Sequence, residues 1–221
     1  MDRNVLNLSF EVANTSAKRM QVLNFLKQHF FLDEPIVEAS KLYEDEQGLK
    51  ELENYTKALI DDDLSLIVSD LTSKEIAGVA VISVKYKNQS KSVQKIKSKK
   101  FERVAKFLEH LENEAKTFQR IDNLEKAISL DMLSVNPNYR GKGLAKIMIE
   151  KVINFAKEKG FKLIRIDCTS LFSTKAALNL GFESVYRIKY AEYKDDGEIV
   201  FKINENHPHQ EANAMLQIIN I

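Results

Sequence analysis

The segment Leu133-Ser-Val-Asn-Pro-Asn-Tyr-Arg-Gly-Lys-Gly-Leu-Ala145 contains the strongest indication of the fold. An apolar, strand-like run ends in a Pro-Asn turn, and Arg140, Gly141 and Gly143 then open an amphipathic helix. The first N–H groups of a helix are free and its positive end attracts anions, while glycine lets a phosphate approach the backbone closely. The segment therefore predicts a strand–turn–helix unit that binds a phosphorylated cofactor.

Two other phosphate-binding motifs do not fit this segment. A dinucleotide-binding fold needs three spaced glycines with an acidic residue about twenty positions later, and that glycine pattern is missing. A Walker loop needs Ser or Thr directly after its lysine, whereas Gly143 follows Lys142. A turn that only starts a helix is the plain alternative.

Composition and charge indicate a soluble globular protein. Of its 221 residues, 44% are hydrophobic and 29% are charged, and the net charge is +1. Because that charge is small and no apolar run approaches the ~20 residues that span a bilayer, we expect neither a nucleic-acid nor a membrane partner. Cys168 is the single cysteine, so no disulfide can form within the chain, and we expect a cytoplasmic location. Without a linker or repeat, residues 1–221 are predicted to form one domain.

Hydrophobic periodicity predicts a mixed α/β sheet in the element order β-α-α-β-β-α-β-α-β-α-β-β. The predicted strands are 6–12, 64–70, 76–86, 127–135, 161–168, 182–190 and 198–203. The predicted helices are 16–30, 49–60, a stretch within 91–120, 144–159 and 173–180. Met20 is expected on the apolar face of the first helix, and Ile147 on the inward face of the fourth.

The decisive segment resembles the Arg/Gln-x-x-Gly-x-Gly/Ala loop of the GNAT superfamily of N-acetyltransferases at Arg140, Gly143 and Ala145. The resemblance implies a single-domain α/β fold, with a mixed, mostly antiparallel central sheet flanked by helices and an acetyl-CoA-binding core at about 127–182. Acetyl-CoA is then the co-substrate: the loop holds its pyrophosphate, and the preceding strand presents backbone groups to the pantetheine and thioester. The implied cofactor-binding residues are Leu133, Ser134, Val135, Arg140, Gly141, Lys142, Gly143, Leu144 and Ala145.

A closer similarity is to the insect-type arylalkylamine N-acetyltransferases. Six separated segments show it in the same order along the chain: 30–35, 52–55, 133–145, 168–173, 180–182 and 193–202. The usual acceptors of that family are arylalkylamines such as dopamine, tyramine and serotonin. The resemblance therefore implies acetyl transfer to a small primary amine.

Amide formation from a thioester requires a neutral amine. An alkylammonium with a pKa of ~10.4 is only about one part in a few thousand neutral at pH 7, so a base in the site would help. Glu34 is our candidate, because it lies beside a helix end among aromatic residues and a proline, where partial burial would raise its pKa. The resemblance implies the same role, whereas position alone would favour a carboxylate that stabilises a turn.

Thr169 and Ser173 are the other catalytic candidates. They follow a predicted strand, four positions apart, and the resemblance implies that they protonate the departing thiolate or orient the acyl group. The family has serine at both places, so Thr169 departs from it by one methyl group. Helix capping is an equally good explanation for both hydroxyls. Many GNAT enzymes instead have a tyrosine where this chain has Ala177.

Phe30 and Tyr55 are candidates for an aromatic amine pocket, and Asp131 for contact with a second cationic group on a substrate. Core or strand packing is the plain alternative for each. The tract 207–209, His-Pro-His, has no carboxylate or cysteine at ligand spacing, so we predict no metal. Cys168 has no nearby histidine motif and is interpreted as a packing residue.

Three functions are compatible with these observations. Acetyl-CoA-dependent N-acetylation of a small arylalkylamine is our leading hypothesis, with the oligomeric state left open. An enzyme that prefers polyamines or agmatine is the second, because Asp61-Asp-Asp63 and Asp131 offer carboxylates to a polycation. A CoA-binding module without acceptor chemistry is the third, and the presence of Glu34 argues against it.

Overall fold

A seven-stranded sheet runs through the centre of the protein, whose computed structural model describes residues 7–88 and 95–219. Its strands are β1 (Leu8–Val12), β2 (Leu66–Asp70), β3 (Ile76–Tyr86), β4 (Lys126–Val135), β5 (Leu163–Cys168), β6 (Glu183–Lys189) and β9 (Glu211–Ile218), and a separate hairpin contains β7 (Lys194–Asp195) and β8 (Glu198–Ile199). The strand order is β1-β2-β3-β4-β5-β9-β6. Only β4 and β5 pair in parallel; every other pair in this sheet is antiparallel. The predicted mixed, mostly antiparallel sheet is confirmed.

Six α-helices cover the sheet in the described part of the chain: α1 (Ser16–His29), α2 (Pro35–Ala39), α3 (Glu46–Ile60), α4 (Lys99–Ala115), α5 (Leu144–Glu158) and α6 (Leu171–Leu178). Side chains of α1 to α4 form one hydrophobic core, and those of α5 and α6 form a second. Strand alternation separates the two: Val79 and Val81 of β3 belong to the first core, Ala80 and Ile82 to the second. Over the described ranges, no helix is long and apolar enough to cross a membrane.

Several predicted helices are present with shifted ends, and a capping residue explains each shift. α3 begins before the predicted position because the Asp45 side chain accepts a hydrogen bond from the Gly48 N–H. α4 occupies only part of the predicted stretch, since Ser98 caps it by accepting from the Phe101 N–H. Residue 6 and residues 91–94 of the predicted elements lie outside the described residues.

The predicted pairing of 182–190 with 198–203 is wrong. β6 pairs with β9, which the sequence did not reveal, and only Glu198–Ile199 of the predicted strand pairs, with β7. β9 has the sequence Glu-Ala-Asn-Ala-Met-Leu-Gln-Ile, and alanine and asparagine are depleted in strands. The five-residue α2 was also missed. Met20 and Ile147 are 52% and 38% exposed, so their expected inward positions are wrong.

The strands β4 and β5 form a fork. They pair only from Ile128 opposite Ile164 to Leu130 opposite Ile166, after which β4 continues along β3 and β5 along β9. At the fork, the register between β3 and β4 shifts by one residue at Asp131, and such a bulge bends a strand. Beyond it, the facing edges of β4 and β5 have no strand partner among residues 7–88 and 95–219, which leaves a cleft between them.

Candidate active site

One continuous cleft of about 2000 Å³ lies at the fork. Its walls come from the α1–α2 turn, α3, α4, the two separating strands and the start of α5. Every site residue predicted from the sequence lines it except Lys142. The fold therefore brings together segments that are more than a hundred positions apart.

The loop between β4 and α5 has the features of an anion cradle. Gly141 and Gly143 have φ values of 74° and 78°, a conformation that side chains disfavour, and a Cβ at either would meet nothing within 4 Å. α5 begins after Gly143 without a side-chain cap and without an acidic residue in its first turn. Its first N–H groups are thus available to an anion such as a pyrophosphate.

The side chains of this loop differ in where they point. Arg140 donates from Nε to the Val135 carbonyl at 3.1 Å and pairs with Asp33 at 2.8 Å. Lys142 instead donates to the Asn138 carbonyl and lies outside the cleft lining. Of the rest, Leu144 is buried in the second core, and Ala145 is half-buried in the cleft wall.

The final residues of β4 offer backbone rather than side-chain groups to the cleft. Leu133 and Val135 pack their side chains against the second core. Ser134 is buried, and its hydroxyl donates to the His29 carbonyl at 3.3 Å. At 133–135, the backbone edge that faces β5 has no strand partner among the described residues and is open to the cleft.

Glu34 is a buried carboxyl group at the edge of the cleft. It stands directly before α2, whose first residue is Pro35, and is 8% exposed. Burial raises the pKa of Glu34 to about 7, although the Thr169 side chain and the Ile36 backbone each lower it. Its Oε1 atom is buried without a hydrogen-bond partner among the described residues. An oxygen in that state is suited to accept a proton near neutral pH.

Thr169 and Ser173 occupy different surroundings. The Thr169 side chain lies close enough to Glu34 to lower its pKa. Ser173 forms a capping box with Ser170: Ser170 Oγ accepts from the Ser173 N–H at 3.0 Å, and Ser173 Oγ accepts from the Ser170 N–H at 3.3 Å. The Thr169 side chain therefore lies beside the candidate base, whereas the Ser173 hydroxyl serves the capping box of α6.

Charged side chains surround the deep end of the cleft. Asp131 accepts a hydrogen bond from Ser129 at 2.8 Å and lies 3.6 Å from Lys85, while its Oδ2 has no partner in the part of the chain that the structure describes. Arg165 is 3% exposed, pairs with Asp167 and lies 3.7 Å from Glu112. Burial raises the pKa of the Asp167 carboxyl, and Arg165 opposes that rise.

Phe30 and Tyr55 lie on the cleft wall as predicted. Phe30 packs partly buried against the first core at the end of α1. Tyr55 of α3 packs its ring edge-on against Phe101. Burial of its phenol, followed by the negative charge of Asp131, raises the pKa of Tyr55. This part of the cleft thus has aromatic walls and an acidic end.

Sequence reasoning missed Arg165 and Asp167. Both lie in β5, Leu-Ile-Arg-Ile-Asp-Cys, for which the hydrophobic pattern predicts only a strand. Two charges at alternate positions of an apolar strand must share one face, and a buried face that holds charges is a functional signal. The alternation of Arg165 and Asp167 along the strand could therefore have identified both residues from the sequence.

Neither Cys168 nor the His-Pro-His tract shows catalytic features. Burial raises the pKa of the Cys168 thiol to about 12, which leaves it protonated at neutral pH. His209 Nδ1 accepts a hydrogen bond from the Leu171 N–H at the start of α6. His207 is 3.9 Å from Glu38. Across residues 7–88 and 95–219, no group of three or more histidine, cysteine, aspartate or glutamate side chains could hold a metal ion.

Comparisons with known proteins agree with this geometry. The model of the acetyltransferase (GNAT) family matches residues 24–182. The crystal structure of arylalkylamine N-acetyltransferase 2 from Aedes aegypti is 32% identical and covers 97% of this chain and 100% of its own, with a TM-score of 0.85. Mosquito arylalkylamine N-acetyltransferase-like 5b is 25% identical over 96% of this chain and 100% of its own, with a TM-score of 0.82.

A third structure shares the fold at lower identity. It is the polyamine N-acetyltransferase of Drosophila melanogaster, described as catalysing the formation of N-acetylagmatine. It is 19% identical over 96% of this chain and 100% of its own, with a TM-score of 0.80.

Proposed function

Because the chain belongs to the acetyltransferase (GNAT) family, we propose that this acetyl-CoA-dependent N-acetyltransferase acts on the primary amine of a small arylalkylamine, with Glu34 as general base. The observation that carries the proposal is the buried, unpartnered Oε1 of Glu34, in the same cleft as the anion cradle and the acidic end. Family membership makes the chain an acyltransferase, so a non-catalytic CoA-binding module is set aside.

The donor side of the cleft would orient the co-substrate through backbone groups. The N-terminus of α5 and the Arg140 guanidinium suit the pyrophosphate, and the unpaired edge of 133–135 suits the pantetheine. Acetyl-CoA supplies the acetyl thioester, whose carbonyl would accept a hydrogen bond from a backbone amide near Leu133. These contacts fix where the amine must arrive.

Glu34 and Thr169 would share the proton transfers. The ammonium proton passes to Glu34 Oε1, the neutral nitrogen attacks the thioester carbonyl, and the carbon–sulfur bond breaks as the amide forms. A second proton leaves the nitrogen and ends on the departing sulfur. The Thr169 hydroxyl is our candidate for that transfer, because it lies next to Glu34. Ser173 stays a prediction, since its hydroxyl already serves the cap of α6.

The walls of the deep cleft support an aromatic acceptor with a polar end. Phe30 and Tyr55 offer apolar surface to a ring, and Asp131 offers a free oxygen to a hydroxyl or a second cation.

Agmatine or a polyamine is the second candidate acceptor. At the deep end, three carboxylates outnumber two cations; these groups are Asp131, Asp167, Glu112, Arg165 and Lys85. The acidic run 61–63 contributes less than expected. Asp63 pairs with Arg19, Asp61 lies 3.8 Å from the same guanidinium, and only Asp62 lines the cleft.

An acceptor panel tests the proposal. Purified protein is given acetyl-CoA with dopamine, tyramine, agmatine or spermidine, and release of the CoA thiol is measured. We expect the highest kcat/KM with dopamine or tyramine. A strong preference for spermidine or agmatine would replace the arylalkylamine proposal with the second candidate.

Glu34→Ala tests the base, with Glu38→Ala as the matched control. We expect Glu34→Ala to lower kcat/KM at pH 7 by at least about tenfold while acetyl-CoA binding is retained. Glu38 lies on α2, four residues after Glu34, but is exposed, so its loss should leave the rate unchanged. Equal activity of Glu34→Ala and the wild type would remove Glu34 from the mechanism.

A further inference from the structure

Tyr190 is a buried tyrosine without a role in the steps above. It follows β6, is 1% exposed, and packs its ring against Phe107 and Phe201 at centroid distances of 5.9 and 5.4 Å. Its hydroxyl donates a hydrogen bond to the Thr169 carbonyl at 2.5 Å. The tyrosine thus holds the backbone of the residue whose side chain lowers the pKa of Glu34.

Thr169 has little else to fix its backbone. The pairing of β5 with β9 ends at Cys168, and Ser170 is already the cap of α6. Thr169 is therefore a single residue that links a strand to a helix. Because threonine is branched at Cβ and has few side-chain rotamers, the direction of its hydroxyl follows the orientation of its backbone.

We propose that Tyr190 is a positioning residue: its hydroxyl holds the Thr169 carbonyl and thereby keeps the Thr169 hydroxyl against the Glu34 carboxylate. The inference rests on the proposed role of Glu34 as the base, and it adds the residue that fixes the position of the Thr169 hydroxyl beside that base. Tyr190 exchanges no proton itself. Burial and then the negative charge of Glu34 raise its pKa well above the usual value, so that it stays a hydrogen-bond donor.

The other titratable groups near Glu34 either lie close to an oppositely charged side chain or, like the Cys168 thiol, stay protonated at neutral pH. The negative charge of Glu34 is one of the influences that raise the pKa of the Cys168 thiol and keep it protonated. The neighbours along the chain are Asp33, which pairs with Arg140, and Glu38, which lies near His207. A change in the titration of Glu34 on removal of the Tyr190 hydroxyl can therefore be traced through Thr169.

Tyr190→Phe is the test, with Tyr186→Phe as the matched control. The change removes one oxygen and keeps the packed ring, so the fold should be retained, as circular dichroism and melting will check. Losing the Thr169 contact should raise the pKa of Glu34 by about half a unit to one unit and move the acidic limb of the kcat/KM profile upward by the same amount. The KM for acetyl-CoA should stay constant. Tyr186, on β6, bonds His110 at 2.8 Å, and its loss should not move the profile.

Two further measurements test whether Tyr190 acts on Glu34 through Thr169. Thr169→Val should produce the same shift, and adding Tyr190→Phe to it should produce no more. The Glu34 carboxyl is also titrated by carbon-13 NMR, with its signal assigned by its loss in Glu34→Gln. That titration reports on Tyr190 even if no amine is acetylated, so a failure of the proposed function is distinguishable. An unchanged Glu34 titration in Tyr190→Phe, or a further shift in the double variant, would overturn the inference.

Discussion

The two halves of the cleft, which we propose bind the acetyl donor and the amine acceptor, are built in different ways. The donor half is made of backbone from one contiguous stretch, 133–145, with two glycines at positive φ and an uncapped helix end. The acceptor half is made of side chains from the α1–α2 turn, α3, α4, β4 and β5. In the donor half, the polar groups are N–H groups that a helix end always leaves free; in the acceptor half, they are buried charges that must be paired.

This difference predicts how each half responds to mutation. A backbone cradle should fail when its space is filled and tolerate most other changes. A cluster of buried charges should respond to the loss of single side chains, in its substrate preference and in its dependence on pH. The following changes test that contrast.

Gly143→Asp should have the largest effect. Its side chain would enter the space that a pyrophosphate needs, add like charge at short range, and force a non-glycine residue to φ 78°. We expect acetyl-CoA binding, measured by calorimetry, to weaken by at least about 100-fold, which corresponds to ~3 kcal/mol.

Gly160→Asp is the control for that change. Gly160 follows the other end of α5, has φ 71°, and also has nothing within 4 Å of a Cβ. The variant carries the same backbone strain and charge, yet should bind acetyl-CoA like the wild type. Equal weakening in both variants would mean that strain, rather than occupation of the cradle, explains the loss.

Glu34→Gln should stabilise the protein at alkaline pH. Because burial raises the pKa of Glu34 from 4.5 to about 7, the folded state favours the protonated form. The wild type therefore has its full stability below pH ~4.5, loses part of it as the pH rises through 7, and ends at most about 3 kcal/mol lower. The amide cannot ionise, so the variant should unfold at higher denaturant concentration than the wild type at pH 8.5 and at a similar one at pH 4.5. A stability difference that does not depend on pH would contradict the burial of the charged carboxyl.

The same contrast explains what the sequence could predict. Local patterns sufficed for the donor half, because strand, turn, glycines and helix follow one another along the chain. In the acceptor half, the position of Glu34 beside a helix end made it a candidate, but only the family resemblance favoured a base over a carboxylate that stabilises a turn. Arg165 and Asp167 were missed because the pattern of an apolar strand concealed them. β9 was missed because its buried face depends on alanines, whose packing becomes evident only when β5 and β6 flank it.

Asp131→Asn should alter acceptor use without altering donor binding. The amide can still accept from Ser129, so the fold should be retained, but the free anionic oxygen is lost. A hydrogen bond to a charged acceptor is roughly twice as strong as a neutral one, so kcat/KM for tyramine should fall by about tenfold. Asp63→Asn, at a surface pair with Arg19, should leave kcat/KM unchanged. An altered affinity for acetyl-CoA in Asp131→Asn would mean that the two halves are not separable at the fork.

Ser173→Ala should have the smallest effect on catalysis. The Ser173 hydroxyl accepts from the Ser170 N–H and donates to the Ser170 carbonyl, so its loss weakens the start of α6. We expect a loss of about 1 kcal/mol in the free energy of unfolding, as for other capping residues, and a change in kcat of less than about threefold. Thr169→Ala, which removes the hydroxyl beside Glu34, should reverse this balance: a small change in stability and a larger fall in kcat. If Ser173→Ala lowered kcat more than Thr169→Ala did, the proton transfer to sulfur would belong to Ser173, and the hydroxyl of the capping box would have to turn into the cleft during the reaction.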